Sequence, residues 1–157
     1  MAYPAAAARR PVRVPRIDHE GVEQMALIRW LYGEQQRGEA VGSLYAVTYH
    51  VPNGGQRNKK TAADLKRQGV KSGVSDLVVM EGRGGWLGLY VEFKATPPKH
   101  AATAASQREW LEKAVHRGYC AVLARGLEEA KAVLREYASW APTLTEQRET
   151  MVHGTEW

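Results

Sequence analysis

The segment at residues 90–94, which reads Tyr-Val-Glu-Phe-Lys, constrains the fold of this chain more than any other feature. Side chains alternate between two faces along a β-strand, so Glu92 and Lys94 share one face while Val91 and Phe93 share the other. An acid and a lysine inside an apolar strand are costly unless they are paired or bind something. The pattern therefore predicts a strand with one face in the core and a polar pair on the other.

Glycine, proline and apolar periodicity divide the rest of the chain into alternating elements. Helices are predicted at residues 18–36, with Asp18 as the N-cap, and at 59–68, 106–116 and 127–137; strands are predicted at 44–51, 76–80, 86–95 and 119–124. The strands at 76–80 and 86–95 flank a Gly-rich turn, which is typical of a β-hairpin. This order predicts a single α/β domain with a mixed sheet flanked by helices.

The two ends of the chain have a different composition. Residues 1–16 contain three prolines and four arginines, lack the apolar run of a signal peptide, and are expected to form a flexible basic arm. Residues 141–157 lack a clear period and are expected to form a flexible C-terminal tail.

The overall charge favours an anionic partner. Lys and Arg number 22 against 17 acidic residues, and the net charge is +5. Nucleic acid is the commonest partner of so basic a protein. One cysteine excludes an intrachain disulfide framework and fits a reducing cytoplasm, and no segment is apolar enough to span a bilayer.

Asp76 opens the first strand of the predicted hairpin, where it can approach Glu92 on the second. Two carboxylates at close range repel each other, and a hard divalent cation such as Mg²⁺, which prefers oxygen ligands, resolves that repulsion. Lys94 beside them can orient a water molecule or stabilise charge that builds on phosphorus. The group therefore has the chemistry needed to activate water and hold a scissile phosphate.

Asp76 followed by Glu92-x-Lys94 on a hairpin resembles the signature of the PD-(D/E)xK nucleases, which have the restriction-endonuclease-like fold. The likeness extends to the VRR-NUC family of phage and bacterial stand-alone proteins. It is carried by the Glu and Gln of the early helix at 19–24, the Pro-Asn-Gly-Gly turn at 52–55, the basic helix leading into Gly-Val-Ser-Asp-Leu at 73–77, Ser106-Gln107, and Gly118-Tyr119. It covers about residues 18–138, which implies a nuclease domain at 17–140. Ser75 departs from the family pattern, which usually has proline there.

The resemblance implies roles for particular residues. Asp76, Glu92, the backbone carbonyl of Phe93 and Glu20 would hold Mg²⁺, with Mn²⁺ as a second metal that supports activity. Lys94 would position or deprotonate the attacking water, and Gln107 would support the site from the facing helix. Other readings stay open for these residues. Asp76 can be a strand-start cap, and Glu92 with Lys94 can form a surface salt bridge on an exposed sheet face. An acid such as Glu20 in a first helical turn is favoured by the helix dipole, and Gln107 can be a plain first-turn residue after an N-cap at Ser106.

Basic residues precede Asp76 along the chain and are candidates for phosphate binding. The candidate DNA-binding residues are Asn53, Lys59, Lys60, Lys66 and Lys71. A solvated helix face, and a plain turn at Asn53, are the alternatives.

The function expected from the resemblance is a metal-dependent DNA endonuclease in a bacterial or phage-infected cytoplasm. It would act in repair or recombination on branched, flap or junction DNA, and a homodimer could present two sites. The alternative is a non-catalytic nucleic-acid-binding or accessory module of a replication or repair complex. Retention of Asp76, Glu92 and Lys94 together argues against that alternative.

Overall fold

In the part of the chain that the structure describes, four strands form one mixed sheet, in which they lie side by side in chain order. The computed structural model describes residues 17–52, 59–144, 149 and 151–154; Asn53 and the side chains of Lys59 and Lys60 lie outside the described residues. The helices are α1 (His19–Gln36), α2 (Lys59–Arg67), α3 (Ala105–His116) and α4 (Leu127–Ser139), with a 3₁₀ helix at Ala40–Val47, and the strands are β1 (Thr48–His50), β2 (Leu77–Val79), β3 (Leu89–Lys94) and β4 (Cys120–Arg125).

The sheet combines an antiparallel meander with one parallel strand. β1 pairs with β2, and β2 with β3, in antiparallel register, whereas β4 runs parallel to β3. A parallel pair needs a crossover connection, and α3 lies in it. The predicted hairpin and the predicted mixed α/β sheet flanked by helices are both confirmed.

The core lies on one face of the sheet. Alternate strand residues, among them Val91 and Phe93, pack there against Leu27 and Leu31 of α1 and Leu134 of α4. The other face carries Tyr90, Glu92 and Lys94 and is covered by α3, because the ring of Tyr90 contacts that of Trp110. The alternation predicted for β3 is therefore confirmed.

Helix α1 begins where its capping residue predicts. The Asp18 carboxylate accepts a hydrogen bond from the Gly21 amide at 2.9 Å, which satisfies one of the amide groups exposed at a helix start. Leu27 and Leu31 are fully buried, four residues apart on one helix face.

The strand predicted at 44–51 is wrong over most of its length. Residues Ala40–Val47 form a 3₁₀ helix, and only Thr48–His50 are extended. Val41, Leu44 and Val47 recur every third residue and pack against the core, which is the period of a 3₁₀ helix. The Thr48 hydroxyl donates to the Leu44 carbonyl at 2.7 Å, so local hydrogen bonds override the β-propensity of this segment.

The start of α3 also differs from the prediction, because its N-cap position is Ala104 and not Ser106. Gln107 takes over the capping role, with its side-chain oxygen accepting from the Ala104 amide at 2.8 Å. Gly73 packs directly against this helix start: it has a φ of +78°, and a Cβ there would collide with the Ser106 carbonyl. Glycine at 73 therefore fixes the distance between α3 and the segment that leads into β2.

The first residues after α4 lie against the turn of the β2–β3 hairpin. The Thr143 amide donates to the Gly82 carbonyl at 2.8 Å, and its hydroxyl donates to the Trp86 carbonyl at 2.7 Å. No helix in the described part of the chain is long and apolar enough to cross a membrane.

Candidate active site

Glu92 and Lys94 lie beneath α3 on the face of β3 opposite the core. Glu92 is fully buried and Lys94 is 4% exposed. The antiparallel register pairs Leu77 with Val91, so Asp76, one residue earlier, lies opposite Glu92. Glu20 comes from the first turn of α1. The structure therefore brings together four of the side chains that the sequence predicted as catalytic, and they come from α1, from the residue before β2 and from β3.

The ammonium group of Lys94 lies between two acids. Its Nζ is 3.0 Å from Glu92 Oε1 and 3.9 Å from Glu20 Oε2. Asp76 is anchored separately, because its Oδ2 accepts a hydrogen bond from the Phe93 amide at 2.9 Å. That bond ties the residue before β2 to Phe93 of β3 and fixes the Asp76 carboxylate at the edge of the cluster.

Burial and the opposing attraction of Lys94 dominate the electrostatics of the cluster. Burial raises the pKa of Glu92 to about 7; the hydrogen bond from Lys94 opposes this rise, and the nearby Asp76 charge adds to it. Burial also raises the pKa of Glu20, against the attraction of Lys94 and with a further contribution from Asp76. Two acids with raised pKa values thus lie beside one lysine, an arrangement typical of functional sites.

Gln107 holds the buried acid from the facing helix. Its side-chain amide donates to Glu92 Oε1 while its oxygen accepts from the Ala104 backbone. The reading of Gln107 as a plain first-turn residue is therefore insufficient, since one side chain both caps α3 and contacts the carboxylate cluster.

The donor chemistry of the cluster suits a hard divalent cation. Glu92 Oε2 is buried and has no hydrogen-bond partner among the described residues, which is costly for a carboxylate oxygen. Within the same described part of the chain, no three His, Cys, Asp or Glu side chains lie close enough to hold a metal ion as they stand. The oxygen donors required for Mg²⁺ are present, and the Lys94 ammonium lies between two of them.

Ser75 takes no part in the cluster. It is fully buried, and its hydroxyl has no hydrogen-bond partner among the described residues. The serine that replaces the usual proline therefore adds no hydrogen bond to the site.

One side chain without a predicted role, His50 on β1, supports Asp76, and Gln24 of α1 lies next to it. His50 Nδ1 lies 2.8 Å from the Asp76 carbonyl oxygen and 2.9 Å from the side-chain nitrogen of Gln24. Because a carbonyl only accepts, Nδ1 bonds to Asp76 when it carries the proton. The β1–β2 pairing brings His50 to this place, and no motif in the sequence marks it.

Glu23 joins three elements at the end of β3. Its carboxylate accepts from the Thr96 amide at 3.0 Å, from the Thr96 hydroxyl at 2.7 Å and from the Leu127 amide at 3.1 Å. These bonds connect α1 to the residues after Lys94 and to the start of α4. Glu23 therefore fixes α1, and with it Glu20, relative to the sheet.

Two of the five predicted DNA-binding side chains lie in the described part of the chain. Lys66 and Lys71 are exposed and line a groove between α2 and α3, next to the helix start that carries Gln107. Asn53, and the side chains of Lys59 and Lys60, lie outside the described residues.

Comparison with known proteins identifies a family and a similar solved structure. A family model described as the VRR-NUC domain matches residues 19–128. A solved structure named VRR_NUC domain protein is similar to this chain with a TM-score of 0.65 and 26% sequence identity, over 82% of this chain and 94% of that one. No protein with curated annotation matches.

Proposed function

The chain belongs to the VRR-NUC family, a nuclease-type domain, and on that premise we propose that it is a metal-dependent DNA endonuclease that hydrolyses phosphodiester bonds. One observation carries the proposal: Glu92 and Glu20 lie within 4 Å of the buried Lys94 ammonium, and the nearby Asp76 charge raises the pKa of both acids. An acid–lysine pair held beneath a helix contributes little net stability by itself. Its chemistry suits hydrolysis of a charged ester.

Mg²⁺ is the proposed cofactor, with Mn²⁺ as a substitute. Asp76, Glu92, Glu20 and the backbone carbonyl of Phe93 would hold the metal. When bound, such an ion polarises a phosphoryl oxygen and lowers the pKa of a coordinated water. Glu92 Oε2, which lacks a partner among the described residues, supports this assignment.

The chain's own residues supply positioning and charge. Lys94 is held by Glu92 at 3.0 Å, so its ammonium is fixed where it can orient a water molecule and stabilise negative charge on the phosphate. Gln107 and Lys94 both donate to Glu92 Oε1, which orients that carboxylate. The family resemblance adds the expectation of products with a 5′ phosphate and a 3′ hydroxyl.

A binding module without catalysis is the less favoured reading. A site that only bound DNA would gain nothing from burying a carboxylate that lacks a partner for one oxygen, and apolar residues of similar volume are often more stable there.

The proposed partner is DNA, which suits a net charge of +5 and the exposed Lys66 and Lys71. The family resemblance extends the proposal in two ways. The preferred substrate would be branched, flap or junction DNA, and a homodimer would present two sites.

The test compares purified wild-type protein with Asp76→Ala and Lys94→Ala. Labelled duplex, single-strand, flap and four-way-junction DNA are each incubated with Mg²⁺, Mn²⁺ or EDTA. We expect cleavage by the wild type with either metal and at least a hundredfold lower rate for both variants, since each removes one part of the cluster. Lys131→Ala, which removes a lysine from α4 on the opposite side of the sheet, is the matched control and should cleave normally. Circular dichroism checks that all variants fold, and undiminished cutting by either site variant would overturn the assignment.

A further inference from the structure

A groove of about 830 Å³ lies between α2, with the loop that follows it, and α3. Its lining combines apolar, aromatic and basic side chains, among them Leu65, Lys66, Val70, Lys71, Trp110 and Lys113. A cavity of this size accommodates a ligand of a few hundred daltons and is too small to admit a DNA duplex.

The charge around the groove favours an anion. Lys66, Lys71 and Lys113 line it, and Glu109 is the acidic residue among its lining side chains. All three lysines are exposed, and they come from α2, from the loop after it and from α3, so they surround the groove from both sides. Positive charge on opposite walls suits a chain of phosphates better than a single carboxylate.

Trp110 provides an aromatic surface in the same wall. Its ring contacts Tyr90 edge-on, with 6.3 Å between centroids, and the Lys113 ammonium lies 5.7 Å from its centroid. The buried indole N–H has no hydrogen-bond partner in the part of the chain that the structure describes. Val70 is 41% exposed in the opposite wall. An aromatic ring beside lysines is the combination that single-stranded nucleic acid binds, through stacking and phosphate contacts.

The groove adjoins the carboxylate cluster. Ser106 lines the groove, and the next residue, Gln107, donates to Glu92. Gly73 lines the groove too and packs against the Ser106 carbonyl, so no side chain separates the loop after α2 from the start of α3. A DNA strand in the groove would therefore end close to the site where Asp76, Glu92 and Lys94 meet.

We propose that this groove binds an unpaired DNA strand adjacent to the scissile phosphate, with a base packed against Trp110 and phosphates bound by Lys66, Lys71 and Lys113. The inference rests on the proposed nuclease function, and it assigns that nuclease a substrate with a single-stranded portion. A base exposes its face to an indole ring only where it is unpaired, so the groove distinguishes such a strand from continuous duplex.

The test measures binding without cleavage, by fluorescence anisotropy in EDTA, with a labelled mixed-sequence single-stranded oligonucleotide and with a labelled duplex. The variants are Trp110→Leu, Trp110→Phe and Lys113→Gln, and Lys131→Gln is the matched control on the opposite side of the sheet. Trp110→Leu should weaken single-strand binding by about tenfold or more, whereas Trp110→Phe keeps a ring and should retain most of the affinity. Neither Trp110 variant should change duplex binding by more than about twofold.

Salt dependence separates the lysines from the tryptophan. Loss of one phosphate contact in Lys113→Gln should lower the slope of log affinity against log salt for the single strand by about 0.7, and Trp110→Leu should leave that slope unchanged. Equal losses on duplex and single strand, or unchanged single-strand binding by Trp110→Leu, would overturn the inference. A wild-type protein that binds single strands through Trp110 but cleaves no DNA with Mg²⁺ or Mn²⁺ would overturn the nuclease proposal and leave the groove assignment intact.

Discussion

Glu92 illustrates how one residue can be costly to the fold and useful to the site. Its carboxylate is fully buried, one of its oxygens has no partner among the described residues, and Gln107 and Lys94 share the other oxygen. Groups that orient a metal-binding carboxylate typically change metal affinity or activity when they are removed. Under the proposed metal assignment, Gln107 would be such a group, because it donates to Glu92 Oε1 from α3.

Gln107→Ala is therefore expected to lower the apparent affinity for Mn²⁺ by about 10- to 100-fold, because Glu92 loses the donor that orients it. Titration of cleavage rate against Mn²⁺ measures this effect, and saturating metal should restore much of the rate. Glu112→Ala, which changes an exposed side chain on the same helix, is the control. An unchanged metal titration in Gln107→Ala would show that the contact with Glu92 does not orient the site.

Glu92 also predicts a pH-dependent stability of the metal-free protein. Its pKa in the folded protein is raised from 4.5 to about 7, first by burial. Because the folded-state pKa is raised, protonated Glu92 stabilises the fold relative to ionised Glu92. This contribution is complete below pH 4.5 and is lost as the pH rises through about 7. Relative to Glu92→Gln, the wild type should thus lose stability between those pH values, by roughly 3 kcal/mol at most.

Urea denaturation in EDTA at pH 5 and pH 8 measures the change for both proteins. The quantity of interest is the difference between wild type and Glu92→Gln, because Glu20 and the other acids titrate in both. A difference that is the same at the two pH values would contradict the assignment of the raised pKa to Glu92.

At the scale of elements, the sequence predicted those parts of the fold whose cause is local. Asp18 caps α1 as expected, and alternation along β3 separates Glu92 and Lys94 from Val91 and Phe93. The sequence did not predict the 3₁₀ helix, because Tyr45, Val47 and Thr48 have high β-propensity. The conformation of this segment is instead decided by packing of every third residue against the core.

The part of the site that the sequence did not predict depends on contacts between distant segments. His50 reaches the Asp76 carbonyl only because β1 pairs with β2, and Glu23 reaches Leu127 across 104 residues of sequence. Neither residue belongs to a motif with fixed spacing. Propensity and periodicity describe neighbours along the chain, so partners of this kind follow only from the assembled sheet.

Glu23 is expected to hold α1 against the ends of β3 and α4. Burial raises its pKa, but hydrogen bonds from Thr96 and Leu127 outweigh burial and lower it overall. Its stabilising contribution is therefore present at neutral pH and is lost as the pH falls through the lowered folded-state pKa. Glu23→Ala should lower the melting temperature by roughly 5 °C, since hydrogen bonds to a charged group contribute about 1.5–3 kcal/mol.

Differential scanning calorimetry at pH 7 measures the effect of Glu23→Ala. Glu128→Ala on α4 is the control, because that acid is exposed and its pair with Lys131 contributes little. Equal melting temperatures for Glu23→Ala and wild type would show that these bonds do not stabilise the junction of α1, β3 and α4.

At the scale of the whole molecule, the proposed metal site would couple metal binding to global stability. Glu20, Asp76 and Glu92 come from α1, the start of β2 and β3, so they are close together only when the domain is folded. A ligand that binds only the folded state stabilises it in proportion to the logarithm of its concentration over its dissociation constant. The Asp76 charge raises the pKa of both Glu20 and Glu92, so repulsion opposes the gathering of these acids in the metal-free protein.

Metal addition should therefore raise the melting temperature of the wild type in a concentration-dependent way. At a Mn²⁺ concentration about 100-fold above the dissociation constant, the stabilisation is about 2.7 kcal/mol, or roughly 5–10 °C for a domain of this size. Asp76→Asn should abolish most of this shift. Its amide oxygen can still accept from the Phe93 amide, so the variant should melt at or above the wild-type temperature in EDTA, where one repelling charge has been removed. Scans at matched ionic strength with NaCl separate specific binding from screening, and an equal Mn²⁺ shift in wild type and Asp76→Asn would place the metal somewhere other than this cluster.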